Sequence, residues 1–342
     1  MKVRPVVQQA ARLSVERILA SEWPLRQAGA LGAIAYGRGP AANDAPAARV
    51  LARALPPSGP CIDVWHGAGP LSFGQCGIVQ WAHDGQWLHG TLALDEGAEG
   101  RGLSELAYQA YKDVFATLQS TGCTQLLRLW NYLPHINADG GGLERYRQFN
   151  VGRQQAFLEA NRPAFEGAPA ACAIGTREGP FCVHFLAGRK APLPIENPRQ
   201  VSAYNYPRAY GPRAPTFSRA ALAHAGEGRV ALLISGTASI VGHESVHLGD
   251  VRAQTRETLT NLRAVIDAAH ERCRAPFALD AMALTVYVRD GRDAHAIREE
   301  IEAAIGAHSS AAREAVYLEA DICRSDLLVE IEAHAIAEGE IA

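Results

Sequence analysis

Ile322-Cys323-Arg324-Ser325-Asp326-Leu327-Leu328-Val329-Glu330-Ile331-Glu332-Ala333-His334-Ala335 reads as a short approach followed by a strand. Alternation sets in at Leu327. Leu327, Val329, Ile331 and Ala333 fall on one face, and Leu328, Glu330, Glu332 and His334 on the other. The first set is the lining of a core. Together with Cys323 and Arg324, the second gathers a thiol, a guanidinium and two acids at the end of the last strand, which a sheet does not need for stability. This stretch is therefore expected to hold a site built on a rigid element.

Working outward, the elements before it recur in one order. A helix over 250–272 leads to a strand over 281–288, a helix over 294–307, and strands over 315–322 and 327–335. Earlier in the chain Ser104 caps a helix to about residue 119, with Leu106, Tyr108, Tyr111, Val114, Phe115 and Leu118 as its apolar face and Gly122 as its stop. A strand over 125–130, a helix over 143–160 and strands over 171–174 and 181–186 follow. The pattern predicts an α+β chain of two related halves, each a mixed β-sheet covered by helices: 1–195, a Pro-rich junction at 196–215, and 216–342. Residues 32–36, 62–65, 78–81 and 87–94, the last two flanking an Asp84-Gly85 turn, read as further strands with a hairpin.

The 342 residues, 48% hydrophobic and 20% charged, are enough for a sizeable core. A formal charge of -3 without a long Lys/Arg run argues against a nucleic-acid partner. No window approaches the roughly 20 apolar residues of a membrane span, and no leader pattern is evident, so the expected location is cytoplasmic. Seven scattered cysteines without a CxxC pair point to reduced thiols. His243-Glu244-Ser245-Val246-His247 satisfies the zinc-peptidase pattern, but that pattern needs a helix. Gly242 and Gly249 bracket it and Asp250 is a helix N-cap, so it reads as a strand-to-helix loop and no metal is expected.

Gly249-Asp250-Val251-Arg252-Ala253-Gln254-Thr255-Arg256-Glu257-Thr258-Leu259-Thr260-Asn261-Leu262 resembles the helix signature of the RidA/YjgF family, and Val329-Glu330-Ile331-Glu332-Ala333 its closing strand. RidA-like domains have an α+β, chorismate-mutase-like fold and form trimers with ligand sites between subunits. Two such halves in one chain imply a comparable cleft between domains. Leu143-Glu144-Arg145-Tyr146-Arg147-Gln148-Phe149-Asn150-Val151-Gly152-Arg153, Tyr204-Asn205-Tyr206-Pro207-Arg208-Ala209-Tyr210-Gly211-Pro212-Arg213 and Ser235-Gly236-Thr237-Ala238-Ser239 look like chorismatase motifs. With Cys323 and Glu330 they extend the resemblance over nearly the whole chain.

That resemblance implies a cofactor-free enzyme acting on chorismate, monomeric or homotrimeric. Chorismate is a dianion carrying an enol ether, so its cleavage needs cations and a protonated acid. Glu330 suits the acid, because burial disfavours its charged form; the plainer alternative is an edge-strand glutamate in water. Arg153 and Arg213 are expected on the substrate carboxylates, with Tyr146 two helical turns before Arg153 and Tyr206 in the same Pro-bounded loop as Arg213. Arg153 as a solvated helix residue and Tyr146 as simple core stay open. Gly236 and Cys323 occupy the places that, in the resembled family, separate hydrolysing members from those making 3-hydroxybenzoate, so the resemblance implies 3-hydroxybenzoate, with some 4-hydroxybenzoate, and pyruvate as products and both residues as catalytic, Cys323 helping the ring to aromatise; as a lone residue, Cys323 also fits a small buried hydrophobe. The alternative on the same scaffold is an imine/enamine deaminase or small-acid-binding protein, in which Arg313 would be the carboxylate-binding cation.

Overall fold

The computed structural model describes residues 12–23, 29–37 and 47–342. Its N-terminal part supplies β1 (Ser14–Leu19), β2 (Ala30–Tyr36), β3 (Ala47–Val50), β4 (Arg53–Ala54) and β5 (Cys61–His66). Four of these form a sheet in the order β1-β5-β2-β3. One face closes over Trp23, while Leu31, Ile34, Tyr36 and Trp65 on the other join the centre of the molecule.

The first half continues with β6 (Ser72–Cys76), β7 (Val79–His83), β8 (Trp87–Leu94), α1 (Leu103–Thr121), β9 (Gln125–Pro134), α2 (Arg145–Glu159), β10 (Ala170–Thr176) and β11 (Phe181–Gly188). Helix α1 is stopped as expected by Gly122, at φ 71°, where a side chain would be strained. Its N-cap is Gly102 rather than Ser104. The second half holds β12 (Leu193–Ile195), β13 (Ala220–Gly226), β14 (Arg229–Ala238), the hairpin β15 (Ile240–Val241) and β16 (Glu244–Ser245), α3 (Val251–His270), β17 (Ala283–Val288), α4 (Ala294–Ile305), β18 (Val316–Glu319), β19 (Asp321–Ile322) and β20 (Val329–Glu338).

The repeat read from the sequence is present as topology. The first half contains neighbours β8-β11-β9-β10 and the second β14-β20-β17-β18, each with one parallel pair, β9 with β10 and β17 with β18. A parallel pair needs a crossover, and α2 and α4 supply it. The halves also trade edges. β19 closes the first seven-stranded sheet beside β10, and β4 closes the second beside β18. The run expected as one strand over 315–322 thus breaks at Ala320 and serves two sheets. The expected division at residue 195 falls at the end of β12, which pairs with β13 in the second sheet.

The two large sheets stack face to face with their helices outside. Leu106, Ala110, Val114, Phe149 and Phe157 of α1 and α2 close one outer core, and Leu259, Leu262, Val265, Ile297 and Ile301 of α3 and α4 close the other. Val329, Ile331 and Ala333 belong to that second core, as their alternation requires. The opposite face of β20 looks into the layer between the sheets. β20 is the middle strand of its sheet, not an edge, and Glu330 and Glu332 are each only 4% exposed.

Candidate active site

A buried carboxylate is costly unless paired or neutral, and the two acids of β20 take the two different solutions. Glu332 accepts from Arg128 Nη2 at 2.5 Å and from the Tyr287 hydroxyl at 2.9 Å, and Tyr287 is itself bonded to the Tyr132 hydroxyl at 2.9 Å. Glu330 forms no ion pair among the described residues; the Cys323 thiol lies 4.0 Å from its Oε2. Burial, then the charge of Glu332, pushes its pKa up to about 8. Glu330 is therefore a carboxylic acid at neutral pH.

The backbone beside it is shaped for that carboxyl. β14 pairs Ile234 with Ala333 and Thr237 with Ile331, so Ser235 and Gly236 together face Glu332 in a β-bulge. Ser235 Oγ accepts from the Ala171 N–H at 2.9 Å and donates to the Ser218 carbonyl at 2.6 Å, which pins the bulge between the two sheets. A Cβ on residue 236 would stand 1.8 Å from Glu330 Oε1 and 3.2 Å from Cys172 Cβ. Only glycine lets the carboxyl rest against the bulge.

Above Glu330 opens a cavity of about 240 Å³ between the halves. Tyr146 of α2 and its neighbours Glu144 and Arg147 form one wall; Tyr206, Tyr210 and Pro215 of the junction form another; Phe217, Gly236, Cys323 and Arg324 complete it from the second half. Five of the residues singled out in the sequence therefore meet here: Tyr146, Tyr206, Gly236, Cys323 and Glu330. Burial, then Glu330, raises the Cys323 pKa to about 12, so this group is a thiol and not a thiolate. Arg289 holds the loop that carries it, donating to the carbonyls of Ile322, Arg324 and Leu327 and to Asp321.

Neither Arg153 nor Arg213 reaches the cavity wall. Gly152 lets α2 lie against α1 so closely that a Cβ there would meet the Ser104 carbonyl at 1.9 Å. Position 153 consequently looks into the interior, where the guanidinium sits 4.6 Å from the Phe149 ring centroid and donates to Asn150. The two-turn spacing from Tyr146 holds, but the helix runs from the rim of the cavity into the core. Arg213 faces solvent from a loop that turns Pro215 and Phe217 inward instead. Arg313 is exposed on the one-turn helix Ser310–Glu314 and does not line the cavity.

Two other cations take that place. Arg219, the residue before β13, donates to Val201 O and the Tyr206 hydroxyl, both at 2.8 Å, while its Nε is buried without a protein acceptor. Arg324 lies 5.0 and 4.1 Å from the Tyr206 and Tyr210 ring centroids and donates to His243 O, and its Nη2 likewise lacks an acceptor. Arg324 stands inside the stretch quoted first, so its guanidinium was in view there; Arg219 has no local signal. His243 and His247 of the HExxH pattern sit on and after the β15–β16 hairpin, with His247 at φ 60°, so the helical face that pattern requires is absent from this segment.

Comparison with known proteins agrees with this arrangement. Residues 63–187 match the family described as chorismatase FkbO/Hyg5-like, N-terminal, and residues 215–337 match the endoribonuclease L-PSP family. A 3-hydroxybenzoate synthase of Streptomyces hygroscopicus is 40% identical over 287 residues, 81% of this chain and 82% of its own length. The chain belongs to the chorismatase family. A chorismatase of Streptomyces rapamycinicus is 38% identical, over 79% of this chain and 80% of its own. A chorismatase crystal structure at 1.08 Å resolution superposes with a TM-score of 0.83 at 32% identity, covering 95% of this chain and 99% of that one. The chorismatase fold accounts for the paired mixed sheets.

Proposed function

We propose that the protein converts chorismate to 3-hydroxybenzoate and pyruvate. The observation that carries this reading is the neutral, unpaired Glu330 carboxyl at the floor of a cavity whose walls hold guanidinium N–H groups without protein acceptors. Arg219 and Arg324 take the two carboxylates of the substrate by charge-assisted hydrogen bonds, and Tyr206 and Tyr210 hold Arg324 in place. Glu330 donates its proton to the enolpyruvyl methylene carbon, which makes pyruvate a good leaving group. The adjacent ring hydroxyl oxygen then displaces the ether oxygen while keeping its own proton, forming a protonated epoxide and releasing pyruvate as the ring carbon–oxygen bond breaks. Opening of the epoxide with loss of a ring proton aromatises the product and returns a proton to Glu330. Opening at one carbon gives 3-hydroxybenzoate and at the other 4-hydroxybenzoate. Atoms balance without water, oxidant or cofactor.

In this reading Gly236 sets the position of the acid, Tyr146 covers the ring, and Cys323, as a neutral thiol, shapes the space beside the reacting carbons. Arg153 and Arg213 act from outside the cavity wall, the first by holding α2 and Tyr146, the second at the surface of the junction. The domain division follows the two halves with the junction over 196–215 between them. We place the protein in the cytoplasm, supported by seven unbridged cysteines; no helix among the described residues is long and apolar enough to cross a membrane.

The test is to incubate purified protein with chorismate, quantify pyruvate and separate the aromatic products. Equimolar pyruvate and 3-hydroxybenzoate support the assignment. A dihydroxycyclohexadiene carboxylate would retain the family chemistry and overturn the product. Absence of pyruvate from folded protein would favour the deaminase or acid-binding alternative.

A further inference from the structure

Glu330 remains unpaired although a guanidinium lies nearby. Arg128, on β9 of the opposite sheet, is only 2% exposed, and its charge acts on Glu330 across the layer between the sheets. Its Nη2 is bound to Glu332 at 2.5 Å, its guanidinium carbon lies 5.4 Å from the Trp130 ring centroid, and its Nη1 is buried without a protein acceptor. Glu332 is itself held by Tyr287, whose hydroxyl is bonded to Tyr132. The residues i and i+2 of one strand face share this buried layer, so the cation has two carboxyls within its field and is bonded to one.

We propose that Glu332 is a positioning residue: held by Tyr287, it occupies Arg128 and so keeps that guanidinium off the Glu330 carboxyl two residues along the same strand face. The inference deepens the chorismate reading and rests on it for the role of the acid. Charged groups act on Glu330 in both directions, and Glu144, Arg147, Arg324 and Asp326 line the cavity above it. Glu332 on its own strand favours the proton, while Arg128 on β9, Arg219 before β13 and Arg289 after β17 oppose it. Cys323 in the loop after β19, Cys172 on β10 and Tyr146 on α2 are neutral, because burial raises the pKa of each. Of the three cations, Arg289 is spent on the loop carbonyls and Asp321, while Arg219 donates to Val201 and Tyr206 and keeps its Nε without a protein acceptor. Arg128 is the one whose partner is a carboxylate two residues from the acid. Without Glu332, Arg128 would be a buried cation left with the charge-coupled Glu330 carboxyl two residues along the same strand, and a nearby opposite charge favours ionisation.

The experiment compares the alkaline limb of kcat/KM for chorismate in wild type, Glu332→Gln, Arg128→Met and the double variant. Alongside it, the Glu330 carboxyl is titrated directly by difference infrared spectroscopy, using Glu330→Gln as the blank. Glu332→Gln is expected to move both titrations down by about one to three pH units. Arg128→Met should leave them at or above the wild-type position, and the double variant should restore the wild-type position, because it removes both charges together. A purely structural role for Glu332 predicts lost activity with an unmoved titration and no rescue, and either result overturns the proposal. Should Glu332→Gln fail to fold, Arg128→Met decides alone, and a lower Glu330 titration in it refutes the idea. If wild type releases no pyruvate, the chorismate reading fails, while the infrared titration, which needs no substrate, still decides whether Glu332 holds the proton on Glu330.

Discussion

Replacing Glu330 by Gln keeps the shape of the side chain and removes its proton, and the structure sets the size of the effect. A carboxyl titrating at about 8 is roughly nine-tenths protonated at pH 7, whereas one at its ordinary 4.5 is only about 0.3% protonated. The site thus makes the acid form roughly 300-fold more available than solvent would. A positioned general acid contributes about 10²–10⁴-fold in rate, so Glu330→Gln should lose at least that much kcat while wild-type activity falls as pH rises through about 8. Stability should register the same group. Between about 4.5 and about 8 the folded chain binds one proton more than the unfolded chain, so the contribution of Glu330 is fully present below this window and is lost as pH rises through it. The upper size of that loss is roughly 5 kcal/mol. Glutamine has no proton to lose, so urea unfolding at pH 5 and pH 9 should show Glu330→Gln gaining on wild type at the higher pH. A fully active variant, or a stability difference that is flat with pH, would refute the reasoning.

Other consequences can be measured separately. Gly236→Ala places a methyl 1.8 Å from Glu330 Oε1; the carboxyl must move by more than an ångström, and pyruvate release should slow about 10²-fold with little change in KM. Cys323, a thiol raised to about 12, should resist iodoacetamide at pH 7 in folded protein, as peptide mass mapping would reveal. Arg324→Ala should raise KM for chorismate by about tenfold or more in steady-state assays, since a charge-assisted bond of about 1.5–3 kcal/mol is removed. Arg17 pairs with Asp63 at 2.7 Å and donates to Leu284 O and Thr285 Oγ1 of the second half. Arg17→Ala leaves Asp63 buried and unpaired, and chemical denaturation should show a loss of about 3–5 kcal/mol.

Alternation over 327–335 was enough to place the core residues of β20 and to single out Glu330, because a period of two belongs to the backbone itself. It could not say that the acidic face would also be covered, since the cover is another sheet contributed by residues 72–188. The spacing of Tyr146 and Arg153 fixed a common helix face, but a face has no depth, and the tight crossing at Gly152 is what sends Arg153 inward. Arg219 became visible only when the junction folded Tyr206 against it. The HExxH segment is readable as a non-helix from its flanking glycines: Gly242, at φ 59°, lies in the turn of the hairpin, and Gly249, at φ 77°, precedes the N-cap of α3. The strand over 315–322 was overextended because a run of strand-forming residues carries no mark of which sheet receives it.

The exchange of edge strands has a mechanical consequence. β19 is fastened to the first sheet and β20 to the second, with only the loop from Cys323 to Leu328 between them. This loop acts as a gauge of how the sheets are seated: a slip of one half against the other is delivered to the spacing between the Cys323 thiol and the Glu330 carboxyl. Alignment of the chemistry and cohesion of the two halves are therefore one mechanical property.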